Sequence, residues 1–259
     1  MTMNELLVNI VIPLYSAKLN ADEQKSLAQC CTILSRYPIT LVKPYSLDVS
    51  SLLTEYPMLR VESFEDDFFE SIFDYNRLMM SEVFYARFLV YKYVLVYQLD
   101  AYVFCDELEK WCLKDYDYIG APWLLKPRYT HMFFRPFLEL KSFFYRLKGK
   151  PARPKLLGNK VGNGGLSLRK VSSHLSVVRQ SDDIVAHFLE QSKVHTEYNE
   201  DVFWATQTLQ FKIPDYREAV AFSFDLHPER ALKLNQNKLP FGCHGWNKGK
   251  RRNFWQKYL

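Results

Sequence analysis

No stretch of this sequence approaches the roughly 20 apolar residues that a membrane-spanning helix needs. Its longest apolar runs have the length of buried strands instead. Met1 to Glu5 carries no basic region ahead of the short apolar run that follows, so no secretory signal is expected. Cysteine is scarce and odd in number, with five at positions 30, 31, 105, 112 and 243. Their spacing matches neither a zinc site nor a disulfide framework, which points to small core residues in a reducing cytoplasm. The histidines lie apart without an HxxxH pair, which argues against a His-based zinc site. Only nine glycines occur, with no GxGxxG and no phosphate-loop pattern, so a Rossmann dinucleotide site is unsupported. Neither a serine elbow nor a cysteine-nucleophile pattern is present. RNP, zinc-finger and helix-turn-helix signatures are missing too, so nucleic acid is not an expected partner.

What is present describes a globular α/β protein. The 259 residues are 48% hydrophobic and 24% charged, enough for a sizeable core. Aromatics are plentiful, 17 Tyr and 19 Phe, which suits either a thick core or a surface that stacks on sugars. Leu6–Ile12 is apolar on both faces and stops at Pro13, as a buried parallel strand does. Helical spacing over Ala21–Ser35 and a second strand over Ile39–Val42 complete a βαβ unit. Further along, Tyr75–Phe88 and Lys170–Gln191 read as helices. Tyr93–Tyr97 and Tyr116–Gly120 read as strands, and Ala219–Phe224 as a late strand. The predicted architecture is a mainly parallel sheet flanked by helices, one domain over residues 1–247 with an insertion at 126–160 and a tail at 248–259.

The net charge of +5 is unevenly spread. Lys126–Lys155 holds nine Lys/Arg, one acid (Glu139) and seven aromatics, with an amphipathic helix expected near Phe137–Leu147. A second basic, aromatic cluster, Lys248 to Tyr258, closes the chain. Both imply an anionic partner, and an anionic membrane leaflet is one such surface.

Four motifs carry candidate chemistry. Asp100 follows the most hydrophobic strand, where open α/β sheets bind ligands. A carboxylate there serves equally as a turn cap or as a ligand for Mg or Mn. Glu200-Asp201 opens a helix after Asn199, a position for a cap or for a general base. Gly162-Asn-Gly-Gly165 reads as a tight turn or as a close approach of backbone to ligand. His244, between Gly242-Cys243 and Gly245, is a turn residue or a metal or phosphate contact.

Taken in order, these segments resemble a known family. They are Ile12-Pro13, Tyr97–Phe104, Tyr116–Trp123, Gly162–Arg169, Asn199–Trp204 and Phe241–Trp246. The series is similar to a small bacterial domain family, formerly of unknown function, found with polysaccharide genes and assigned to GT-A glycosyltransferases. The resemblance implies transfer from a nucleotide-sugar donor to a saccharide or lipid-linked saccharide acceptor, with inversion, in bacterial surface glycan synthesis. The expected location, from the thiols and the basic segment, is the cytoplasm, peripherally on the inner face of the membrane. The resemblance puts Ile12, Pro13 and Tyr15 near the nucleobase, Gly164 and Gly165 beside the donor sugar, and Trp123 and Trp246 against the acceptor. Asp201 becomes the general base, with Glu200 second in line. Asp100 matches the first acid of an Asp-X-Asp metal motif, but Tyr102 stands where the second acid belongs. The resemblance then offers His244 as the missing ligand for Mn2+ or Mg2+. A metal-free diphosphate site using Arg169 or Lys248 is the other way to neutralise the leaving group. A non-catalytic carbohydrate-binding or scaffold protein on the same fold stays open beside these.

Overall fold

A computed structural model describes residues 6–125, 135–147 and 156–259. Its centre is a six-stranded sheet in the order β3-β2-β1-β4-β7-β6. The strands are β1 (Leu6–Pro13), β2 (Ile39–Pro44), β3 (Leu59–Phe64), β4 (Tyr91–Tyr97), β6 (Tyr118–Ile119) and β7 (Leu166–Lys170). β1 to β4 run parallel, while β7 pairs antiparallel with β4 and β6 antiparallel with β7. A second sheet of β5 (Ala101–Val103), β9 (Gly242–His244) and β8 (Ser223–Phe224) sits beyond β4.

Both faces of the large sheet are covered at its centre, which is why β1 and β4 read as largely apolar runs. Ile10 and Ile12 of β1 face one core with Leu27 and Cys30 of helix α1 (Ala21–Ile33). Val11, between them, faces a second core containing Phe84, Trp204 and Val178. Alternation along one strand thus feeds two layers. Helix α1 starts where the Asn20 side chain accepts bonds from the N–H groups of Asp22 and Glu23, and the Asn20 N–H donates to the Glu23 carboxylate. That reciprocal cap sets the chain direction as it leaves β1.

The order of strands reverses between β1 and β4. The chain goes from β1 outward to β2 and β3, then returns to lay β4 on the other side of β1. Such a switch point opens a crevice beyond the carboxyl ends of the two strands. Tyr15 leaves β1 there, and Asp100 leaves β4 there.

Three expectations need correcting. The helix expected over Tyr75–Phe88 is two, α3 (Ile72–Met79) and α4 (Glu82–Arg87), because Ser81 caps a new start by accepting from the N–H of Phe84. The Lys170–Gln191 helix is also two, α7 (Val171–Gln180) and α8 (Asp182–Ser192), broken at Ser181 without a side-chain cap. Most of Ala219–Phe224 is helix α10 (Tyr216–Phe222), with only Ser223 and Phe224 in a strand. Asp215 accepts from the N–H of Arg217, and that cap starts a helix the apolar run had concealed. β3 and helix α11 (Pro228–Leu234) were not anticipated either.

The closing tail is part of the body. Helix α12 (Gly249–Trp255) buries Phe254 and Trp255 against Phe224 and Tyr102. Arg252 pairs with Asp22 on α1, and Arg251 with Asp225. Two of the charges read as a lure for an anionic partner are therefore spent inside the fold. Within the insertion, helix α6 (Arg135–Leu147) lies where an amphipathic helix was expected. The remaining helices are α2 (Ser50–Glu55), α5 (Leu108–Leu113) and α9 (Glu200–Thr206).

Candidate functional site

At the switch point lies a cavity of about 830 Å³, within the range of small-molecule sites. Segments far apart in sequence meet around it. Pro13 and Tyr15 come from the end of β1, Gln98 and Asp100 from the end of β4, and Gly164 and Gly165 from the turn before β7. Glu200 and Asp201 open α9, and His244 and Lys248 follow β9. Residues 100, 201 and 244 thus face one space.

Backbone hydrogen bonds hold these loops together. The Gln98 N–H donates to Gly165 O at 2.8 Å, and the Gly245 N–H donates to Asp100 O at 2.8 Å. The Gly162–Gly165 turn works differently from the sequence expectation. Its left-handed residue is Asn163, at φ 71°, and neither Gly164 nor Gly165 has positive φ. The glycines are needed for space. A Cβ on Gly164 would stand 2.0 Å from Glu200 Oε1, and one on Gly165 would stand 2.1 Å from His244 Nε2.

Asp100 and His244 form the first cluster. His244 Nε2 lies 3.0 Å from Asp100 Oδ1, and Lys248 Nζ sits on the other carboxylate oxygen. The second ring nitrogen of His244 faces the buried Asp225 carboxylate at 3.7 Å. Asp225 is itself held by Asn163, which donates at 2.8 Å, and by Arg251. Burial works to raise the Asp100 carboxyl, but His244 and Lys248 outweigh it and hold it well below the usual carboxylate range. Burial works to lower His244, and its contacts to Asp100 and Asp225 outweigh that, lifting it to about 9.

Among the described residues no group of three His, Cys, Asp or Glu converges as a ready metal cage. The chemistry of the pair still fits a hard divalent ion. Mg2+ and Mn2+ sites commonly take one or two protein ligands and complete the shell with substrate phosphates and water. Asp100 and His244 Nε2 would be those two ligands. Asp225 stands where a carboxylate orients a ligating imidazole from behind. Tyr102, in the place of a second acid, is buried in the second sheet against Phe104 and Trp246 and is not part of the cavity wall.

Glu200 and Asp201 have separate fates. Glu200 is buried in a two-pronged ion pair with Arg169, with Nη2–Oε1 and Nη1–Oε2 both 3.0 Å. Arg169 also donates to Ser167 at 3.0 Å and to the Tyr85 hydroxyl at 3.2 Å, and it is fully buried. It cannot reach a diphosphate in the cavity. Asp201 accepts a hydrogen bond from the N–H of Val202 at 2.8 Å and lines the cavity. Burial, then the nearby Glu200 charge, pushes its pKa from 3.8 up to about 7. The carboxylate that accepts this first-turn N–H is also part of the cavity wall.

Several sequence-picked residues lie elsewhere. Ile12 is fully buried in the core beneath the site. Trp123 is buried, with its ring packed on Gly162, and Trp246 is buried in the cluster of Tyr102, Phe224 and Trp255, under Lys25 and Arg252. Neither indole lines the cavity, so neither stacks on an acceptor there. The aromatic wall is instead Tyr15, which meets Phe69 at 5.9 Å and Tyr75 at 6.3 Å, both edge-on. The sequence reading also missed Asn76 of α3. It accepts from the Glu200 N–H and donates to Asn199, both at 3.1 Å, and so sets the start of α9. Asp225 and Asn163 were missed as supports. Only their adjacency to a strand end and a Gly-rich turn marked them in the chain.

The profile of a family described as "Protein of unknown function (DUF5672)" matches residues 58–244. The chain belongs to this family. No curated protein matches it. Among solved structures it is similar to the galactosyltransferase LgtC in complex with donor and acceptor sugar analogs. There the identity is 13%, the TM-score 0.55, and the match covers 91% of this chain and 86% of LgtC. An active-site mutant of LgtC matches at 13% identity and TM-score 0.54, over 96% and 94% of the two chains. Core-mannan synthase A from Aspergillus fumigatus, in a Mn/GDP form, matches at 11% identity and TM-score 0.50, over 82% and 73%. This DUF5672 member therefore has a GT-A glycosyltransferase fold.

Proposed function

We propose that the protein is a glycosyltransferase that moves a sugar from a nucleotide-sugar donor to a hydroxyl of a saccharide or lipid-linked saccharide. One observation carries the reading. In a fold shared with glycosyltransferases, a titrating carboxylate and an acid–imidazole pair face the same cavity at the sheet's switch point.

The residues divide into two halves. Pro13 and Tyr15 form the donor's base end, with Gly164 and Gly165 allowing close approach to its sugar. Asp100 and His244 would hold Mn2+ or Mg2+, which when bound neutralises the departing diphosphate. Lys248, paired with Asp100, adds a positive charge on the same side. It remains available to the diphosphate, whereas Arg169 is committed to Glu200. Asp201 takes the proton from the acceptor hydroxyl as that oxygen bonds to the anomeric carbon and the bond to the diphosphate breaks. A single displacement of this kind inverts the anomeric centre. Bacterial surface glycan synthesis is the setting that the sequence resemblance supplies for such a transferase.

The test is a panel of nucleotide sugars with a mixture of saccharide acceptors, read for released nucleotide and glycosylated product. The wild type should turn over at least one donor, and NMR of the product should show the inverted anomer. Asp201→Asn should fold and lose about 10²- to 10⁴-fold in kcat. Undiminished turnover in the folded variant removes Asp201 from this role.

A further inference from the structure

We infer that helix α6 is a docking surface for an anionic lipid bilayer. This rests on the helix and its charge, not on the sugar-transfer reading.

At 3.6 residues per turn, Phe137, Leu140, Phe143, Phe144 and Leu147 fall within about 120° of the helix circumference. All five are turned to solvent, between 53% and 66% exposed. Ser142, on the opposite side of the wheel, is buried. The apolar face is thus the outward one, the reverse of a helix that packs its stripe on a core. Five large apolar side chains on one exposed face mark an interaction site.

Charge selects the occupant. The surrounding segment, Lys126–Lys155, carries nine Lys/Arg against one acid. A helix with Phe and Leu on one face, set in a basic segment, lies in the plane of a bilayer interface. Basic residues near such a surface are drawn to anionic headgroups. A second copy of the chain is disfavoured on the same ground, since pairing two α6 faces brings two strongly cationic segments together. The helix has 13 residues, too short to cross a bilayer, so it rests on the surface.

The experiment is flotation of the full chain with vesicles of phosphatidylcholine alone or mixed with phosphatidylglycerol, beside light scattering of the free protein. Expected is flotation with the anionic vesicles only, released by about 0.5 M NaCl as charges are screened. Phe137→Ser combined with Phe144→Ser should lower the bound fraction about tenfold while far-UV circular dichroism and Tm stay unchanged, because both rings are already in solvent. Leu140→Gln with Leu147→Gln is the second variant, and it should lose binding in the same way. Three results would each overturn the inference: no flotation with anionic vesicles; equal flotation of both folded double variants; or a dimer in solution that the same substitutions dissociate.

Discussion

Asp201 and Glu200 are neighbours in sequence with opposite surroundings. Glu200 is neutralised by Arg169, while Asp201 is left without a cation and titrates high. If Asp201 is the base, it must lose its proton to act. Activity should then rise with pH through an apparent pKa near 7 and level off above it. The same shift has a stability consequence. A carboxyl raised from 3.8 to about 7 binds its proton more tightly folded than unfolded, so its stabilising contribution is complete below its ordinary value and fades as pH rises to about 7. Asp201→Asn should flatten both dependences, measured as a kcat/KM profile and a Tm profile over the same pH range. At Gly165 the control is steric. Gly165→Ala drives a methyl onto His244 Nε2, and activity should fall about 10²-fold with the fold intact by circular dichroism.

At the scale of elements, the site depends on a joint between β7 and α9. Arg169 on β7 and Glu200 at the start of α9 are both buried, and their pairing fixes where Asp201 points. Removing one partner of a buried pair leaves an uncompensated charge, at a cost of about 3–5 kcal/mol. Arg169→Met should lower stability by that amount in urea unfolding. Arg169→Met with Glu200→Leu should recover much of it, since an apolar pair of similar volume needs no charge compensation. Recovery of stability without recovery of turnover would separate the joint's structural role from its positioning of α9.

At the scale of the whole molecule, one cavity gathers seven segments from across the chain, so ligand binding should be read out globally. A nucleotide present at about 100 times its Kd stabilises the folded state by about 2.7 kcal/mol. Thermal shift with UDP, GDP and CMP should therefore single out one base. That shift should grow when Mn2+ is added to EDTA-treated protein and shrink in Asp100→Asn. A shift indifferent to Mn2+ in both proteins would assign the diphosphate to Lys248 alone.

Much of the architecture was legible in the chain because local rules decide it. The apolar run ending at Pro13 could only be a buried strand, and Asp100 marked the end of another. Position alone left Asp100 and Asp201 divided between capping and chemistry, and the ordered motifs tipped the balance. Several corrections have local causes. Ser81 and Asp215 start helices through short-range caps that apolar periodicity overlooks, and Ser181 breaks a helix with no side-chain cap. The tail's cations found acids at 22 and 225, and two tryptophans chosen for stacking were drawn into cores.

Which segments become strands, and which residue types stand at their ends, is therefore written in the sequence, since hydrophobic periodicity and proline act over a few residues. Which carboxylate is silenced by an arginine and which faces the cavity is decided only when distant segments pack. Burial and pairing are properties of the folded neighbourhood, and a chain read residue by residue does not contain that neighbourhood.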